Sequence, residues 1–213
     1  MDIKVHMLVN MEPGIFNTGE AAARQDITLL STISLNIKEK EKEKMKKFEL
    51  TENYKMRFGR KLFQIRALVS IKDVVEVGEL GGYIEKEENL SQFGNSWVSG
   101  NACVYGNARV VGNSRVTENA RVSGNAFVAG NSRVTENAYV SGNAIVAGNS
   151  RVYGNAHVYG DAFVTENSRV TGNARVYGNA LVYENALITG DSSVSGDAEV
   201  FGNAWVSWRV CIR

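Results

Sequence analysis

The chain has 213 residues, enough for one large domain or two small ones. Its 24 Lys and Arg offset 23 Asp and Glu to a net charge of +1, so nothing in the charge calls for a nucleic-acid or acidic-membrane partner. A hydrophobic content of 44%, no apolar run near ~18 residues and two isolated cysteines, Cys103 and Cys211, argue against disorder, a membrane-spanning helix, a disulfide framework and a zinc site.

Residues 1–47 differ from the rest of the chain. They hold the only proline, Pro13, and end in KEKEKEKMKK, Lys38 to Lys47. Such a run reads as a solvated, partly helical charged segment. Alternating Lys and Glu is also what purine-rich codons encode, and such DNA resembles a bacterial ribosome-binding site. The expectation is that translation starts at Met45 and that the preceding residues are a disordered or translated leader. The opening MDIKVHMLVNMEPGIF lacks the sustained apolar core of a secretory signal, which makes the cytoplasm the default compartment.

Residues 48–93 contain strand-like stretches, KLFQIRALVSI (Lys61 to Ile71) and VVEVGELGGYI (Val74 to Ile84), with a turn at Gly59-Arg60. They predict a small β-rich cap. Residues 94–207 are a repeat array. From Val98 to Val206 every sixth residue is Val, Ile188 excepted, which makes nineteen hexads. Two residues before each stands Ala or Ser, preceded by Asn or Asp. Before that comes Gly, except at Glu118, Glu136, Glu166 and Glu184.

In Asn107-Ala108-Arg109-Val110-Val111-Gly112, Ala108 and Val110 share one face of an extended segment and Arg109 points the other way. Gly and Asn tolerate the positive φ of a sharp corner. Each hexad is thus a short strand and a corner, with Val inward. Strands this short pair only with equivalents one coil away. Ser replaces Ala at 96, 114, 132, 150 and 168, and Arg recurs at 115, 133, 151 and 169, so the coil is eighteen residues and three-sided. At about 4.8 Å per coil the prism is roughly 30 Å long. The predicted class is all-β, a single-stranded parallel β-helix. No GGxGxD run supports a calcium-binding nonapeptide array, and residues 208–213 read as a short, poorly capped tail.

The Val-x-Gly-Asn-Ala-x hexads resemble the hexapeptide-repeat β-helix superfamily, best known from trimeric bacterial acyltransferases. That resemblance implies a left-handed coil. The run GELGGYIEKEENLSQFGNSWV, Gly78 to Val98, is similar to a bacterial and phage-encoded subgroup without an established activity. The likeness covers about residues 48–207, and the hexad speaks more to fold than to function.

Outward residues sort into three columns. The first side carries Trp97, Arg115, Arg133, Arg151, Arg169, Leu187 and Trp205; the second carries Cys103, Arg121, Tyr139, His157, Arg175 and Ser193. The third carries Arg109, Phe127, Ile145, Phe163, Leu181 and Glu199, flanked at the corner by Val111, Ala129, Ala147, Tyr183 and Phe201. A contiguous apolar stripe marks a contact, with another copy of the chain (dimer or trimer) or with the N-terminal region folding back. The arginine ladder Arg115, Arg133, Arg151, Arg169 reads as a solvated, aggregation-resistant face, the alternative being a stripe for anionic ligands. Stacked like charges repel, and Glu118 and Glu136 stand at the adjacent corner to offset them.

Acyltransferases of the resembled superfamily use a histidine general base in a loop-shaped cleft. This chain has His6, outside the array, and His157, the one weak catalytic candidate, in an uninterrupted hexad between Tyr139 and Arg175. One histidine cannot serve as the ligand set of the metal-dependent carbonic anhydrases of that fold. No GxxxxGK[ST] loop is present, and Thr117, Thr135, Thr171 and Thr189 form too sparse a column for ice binding. The expectation is a non-catalytic structural or interaction module without cofactor or metal; the alternative is an acyl-CoA-dependent acyltransferase or a degenerate relative.

Overall fold

A computed structural model describes residues 46–213. The leader, the Met45 start, Pro13 and His6 lie outside the described residues. Lys46 and Lys47, grouped by composition with residues 1–47, belong to the fold: Lys46 Nζ pairs with Glu87 at 3.0 Å, and Lys47 is buried.

Strands β1 (Phe48–Arg57) and β2 (Arg60–Ala67) form an antiparallel hairpin. Its two turn residues, Phe58 and Gly59, have φ of 55° and 70°, the primed geometry that matches strand twist. Strand β3 (Leu80–Ile84) pairs antiparallel with β2 and parallel with Cys103–Val104, so the hairpin extends the sheet of the second side. Val74 to Glu79 is not strand: Ile71 and Val75 close a tight turn on each other, using up the hydrogen bonds a ladder would need.

Beyond β3 the chain is a three-sided coil. Two-residue strands stack in parallel at eighteen-residue spacing, Val on Val, in sheets of seven, ten (cap included) and six strands for the first, second and third sides. The inward Val and Ala side chains form one continuous buried column. Small residues fit where corners narrow the interior. Of the Ser residues that revealed the coil length, Ser114 and Ser132 each donate to a corner carbonyl, of Val111 and Ala129, at 2.7 Å, and Ser168 does so to Thr165 at 2.6 Å, whereas the buried Ser150 hydroxyl has no partner among the described residues.

The array is longer than the Val pattern indicates. Tyr83 pairs with Cys103 and Ile84 with Val104, while Leu90 bridges Val110, so Ile84 and Leu90 are two earlier inward positions six residues apart. Val98 then follows Leu90 by eight positions instead of six, which breaks the count. At the other end Trp208 takes the corner conformation (φ 63°), and Cys211–Ile212 pairs with Ser193–Val194. The expected tail is a twentieth hexad with Ile212 inward, and the whole makes about seven turns.

The Gly78–Val98 motif is the cap's wiring. A Cβ on Gly81 would lie 2.5 Å from Ile65 Cγ1, and one on Gly82 2.7 Å from Val98 Cγ1, so only glycine lets β3 cross the open end of the core. Glu85 accepts from Gly106 N–H at 2.6 Å and pairs with Arg60. The Asn89 amide donates to Gly106 O and Ala108 O, and Gln92 binds Lys47 and Phe48 backbone. Lys47 Nζ donates to Ser96 O (2.8 Å) and Ser96 Oγ (3.1 Å), covering acceptors at the start of the first side.

Candidate interaction surface

Each outward column stacks as its spacing predicts, and the three sides differ in chemistry. On the first side Arg115, Arg133, Arg151 and Arg169 are consecutive neighbours in one ladder. None of the ion pairs among the described residues involves them. The offset expected from Glu118 and Glu136 is not made: Glu136 Oε2 turns along the axis and accepts the Gly154 N–H at 2.9 Å. A corner residue at φ near 60° aims its side chain toward the next corner, away from the flat side. Arg115 instead donates to the carbonyls of Asn95 and Asn113, and burial and the neighbouring Arg133 lower its pKa.

On the second side the hairpin lies over the first coils. Phe58 stacks on Tyr105 with centroids 5.0 Å apart, and the Arg121 guanidinium sits against both Phe58 (5.4 Å) and Tyr139 (5.1 Å). Cys103 is buried below Lys55, whose ammonium lies over the Tyr83 ring, and desolvation raises its thiol pKa; Cys211 is exposed. His157 meets Tyr139 edge-on at 5.8 Å, and burial, with Arg175 and Arg121 nearby, lowers its pKa. The imidazole is therefore neutral near pH 7, but its neighbours are a phenol and two cations. A general base needs a group that orients it and favours the protonated form, and the arginines do the opposite.

The third side stacks Arg109, Phe127, Ile145, Phe163, Leu181 and Glu199 in a six-strand sheet. Phe163 is 41% and Phe201 52% exposed; Phe127, Ile145, Leu181, Val111 and Tyr183 are half-buried, mostly against rungs above and below. Tyr183 and Phe201 stack face to face at 5.3 Å. Residues 46–93 leave this side open beyond its first rung: the hairpin prolongs the second side, and residues 86–93 reach the third only at Asn107, Ala108, Arg109 and Val110.

The corners hold a feature that composition hid. Asn side chains eighteen residues apart join in ladders, each amide N–H donating to the next amide oxygen: Asn101, Asn119, Asn137, Asn155, Asn173 and Asp191 in one corner, Asn113 through Asn185 in another. Asp stands at the end of three of the runs, while the one from Asn113 ends on Asn185. Asp161, Asp191 and Asp197 accept at 2.7 to 2.8 Å and have no proton to pass on. The spacing of Asn at eighteen residues was visible in the sequence; its reading as corner geometry alone missed the ladder.

These features define a β-solenoid repeat protein. The family described as YdcK Beta solenoid repeat has a sequence model that matches residues 174–190, slightly less than one coil. No curated protein matches the chain.

Proposed function

We propose that the protein is a non-catalytic scaffold or interaction module of the cytoplasm, in which the solenoid holds side chains at fixed spacing and the third side is the contact it presents. One observation carries the reading: eighteen-residue pairing runs unbroken from Trp97 to Ile212, with the aliphatic and aromatic residues of the third side in one column. No inserted loop interrupts that span to shape a substrate cleft. Membership of the left-handed hexapeptide-repeat superfamily, in a bacterial or phage-encoded subgroup, is part of the same proposal and is supported by the hexads and the Gly78–Val98 motif.

The acyltransferase alternative would rest on His157 alone. Thermal unfolding of the full chain with millimolar acetyl-CoA separates the two: the scaffold reading expects an unchanged Tm, and a saturable upward shift lost in His157→Ala would refute it.

A further inference from the structure

The third side is asymmetric along its length in both charge and size. Its sheet has six rungs, on Arg109, Phe127, Ile145, Phe163, Leu181 and Glu199. Within the repeats, Arg109 is the only charge that the first three rungs of this side and their corners carry (residues 105–113, 123–131 and 141–149), with Lys86, Glu87 and Glu88 of the cap beside it. The acids of this side, Asp161, Glu166, Glu184, Asp197 and Glu199, all fall in its last three rungs and their corners (residues 159–167, 177–185 and 195–203). The corner column runs from small to large in the same direction: Val111, Ala129 and Ala147, then Thr165, Tyr183 and Phe201.

We infer that the third side binds a second copy of this chain in antiparallel orientation, about a two-fold axis lying in the interface and parallel to the strands. This deepens the reading of that side as a contact and rests on it. The operation reverses the rung order and leaves strand direction unchanged. Rung one then faces rung six, two faces five, and three faces four. Arg109 meets the partner's Glu199 at both ends, Phe127 meets Leu181, and Ile145 meets Phe163.

In the corner column the bulky end meets the small end: Tyr183 lies over Ala129, and Phe201 over Val111. Within the chain neither Arg109 nor Glu199 forms an ion pair among the described residues; Glu199 accepts only from the Tyr183 hydroxyl at 3.3 Å. A parallel dimer, about an axis along the coil, would instead set Arg109 on Arg109 and Glu199 on Glu199. Like charges face to face disfavour that pairing.

Six rungs at about 4.8 Å give a face roughly 24 Å tall. At a width near ~20 Å it buries on the order of 1,000 Å² in total, the lower end for a specific interface. Association in the micromolar range is expected.

The test is sedimentation equilibrium of the full chain at micromolar concentrations, with charge reversals. Wild type should dimerise; Arg109→Glu should weaken the dimer at least ~10-fold, and adding Glu199→Arg should restore it to within ~3-fold. In a Cys211→Ser background, Arg109→Cys mixed with Glu199→Cys should cross-link through a short bismaleimide, and neither variant should do so alone. Cross-linking of Arg109→Cys with itself, or a double reversal no better than the single, would overturn the antiparallel arrangement while leaving the scaffold reading standing. A monomer at every concentration, or a dimer indifferent to Ile145→Arg, would overturn the use of this side by a second copy.

Discussion

Asn137 sits midway in a corner ladder, accepting from Asn119 at 3.3 Å and donating to Asn155 at 3.2 Å. Replacing it with Asp keeps the acceptor and removes the donor. The bond to Asn155 is worth about 0.5–1.5 kcal/mol, and its loss leaves a carboxylate against an amide oxygen, next to Glu136. The bond from Asn119 becomes charge-assisted and shortens, as it is at Asp161 and Asp191 (2.7 and 2.8 Å), which returns part of the loss. The net cost should be about 1 kcal/mol, or ~2–4 °C in Tm for a chain of this size, measured by calorimetry at pH 7. Below about pH 4 the new carboxyl is protonated and donates again, so the cost should fade on acidification. Asp161→Asn is the mirror experiment, since it supplies a donor toward Asn179 and should be neutral or stabilising. A neutral Asn137→Asp together with a destabilising Asp161→Asn would refute the directional ladder.

Lys47 gives a pH signature. Burial, with Arg115 adding to it, lowers its pKa to about 8 from 10.5. Between those values the unfolded chain binds the extra proton, so wild-type stability should rise with pH across that window, by on the order of 3 kcal/mol relative to the trend of Lys47→Met; parallel pH profiles from denaturant titrations would contradict the buried ammonium. Gly142→Ala places a Cβ 2.8 Å from the backbone N and O of Gly160 at φ +69° and should cost about 2–3 kcal/mol in urea unfolding, a cost under ~1 kcal/mol being incompatible with corners stacked this closely. Arg133→Gln relieves a ladder of unpaired cations and should add about 0.5 kcal/mol at low salt, a gain that calorimetry should find vanishing by ~0.5 M salt.

Much of this architecture was legible because each hexad repeats one physical problem. Val inward, a small residue beside it and a corner residue at positive φ, Gly at all but the four Glu corners, recur along the array, and Ser and Arg at eighteen-residue spacing disclosed the three-sided coil. Register was lost where the problem changed. Ile84 and Leu90 fill the core like any Val, but they bound a coil with two extra residues, and Ile212 follows a corner made by Trp208 instead of Gly. The arginine column was found from spacing alone. What the corner glutamates do was not, because periodicity carries no information on whether a carboxylate turns sideways to a guanidinium or along the axis to a backbone N–H. The Gly81–Gly82 pair, Asn89 and Gln92 likewise became intelligible only once the hairpin was seen to close the core's open end.

Sedimentation equilibrium on the full chain, wild type beside Ile145→Arg, reaches the central claim most directly. A wild-type dimer in the micromolar range, reduced to monomer by the single arginine at unchanged Tm, is the predicted result. A wild-type monomer throughout, or a dimer that the arginine leaves intact, would contradict it.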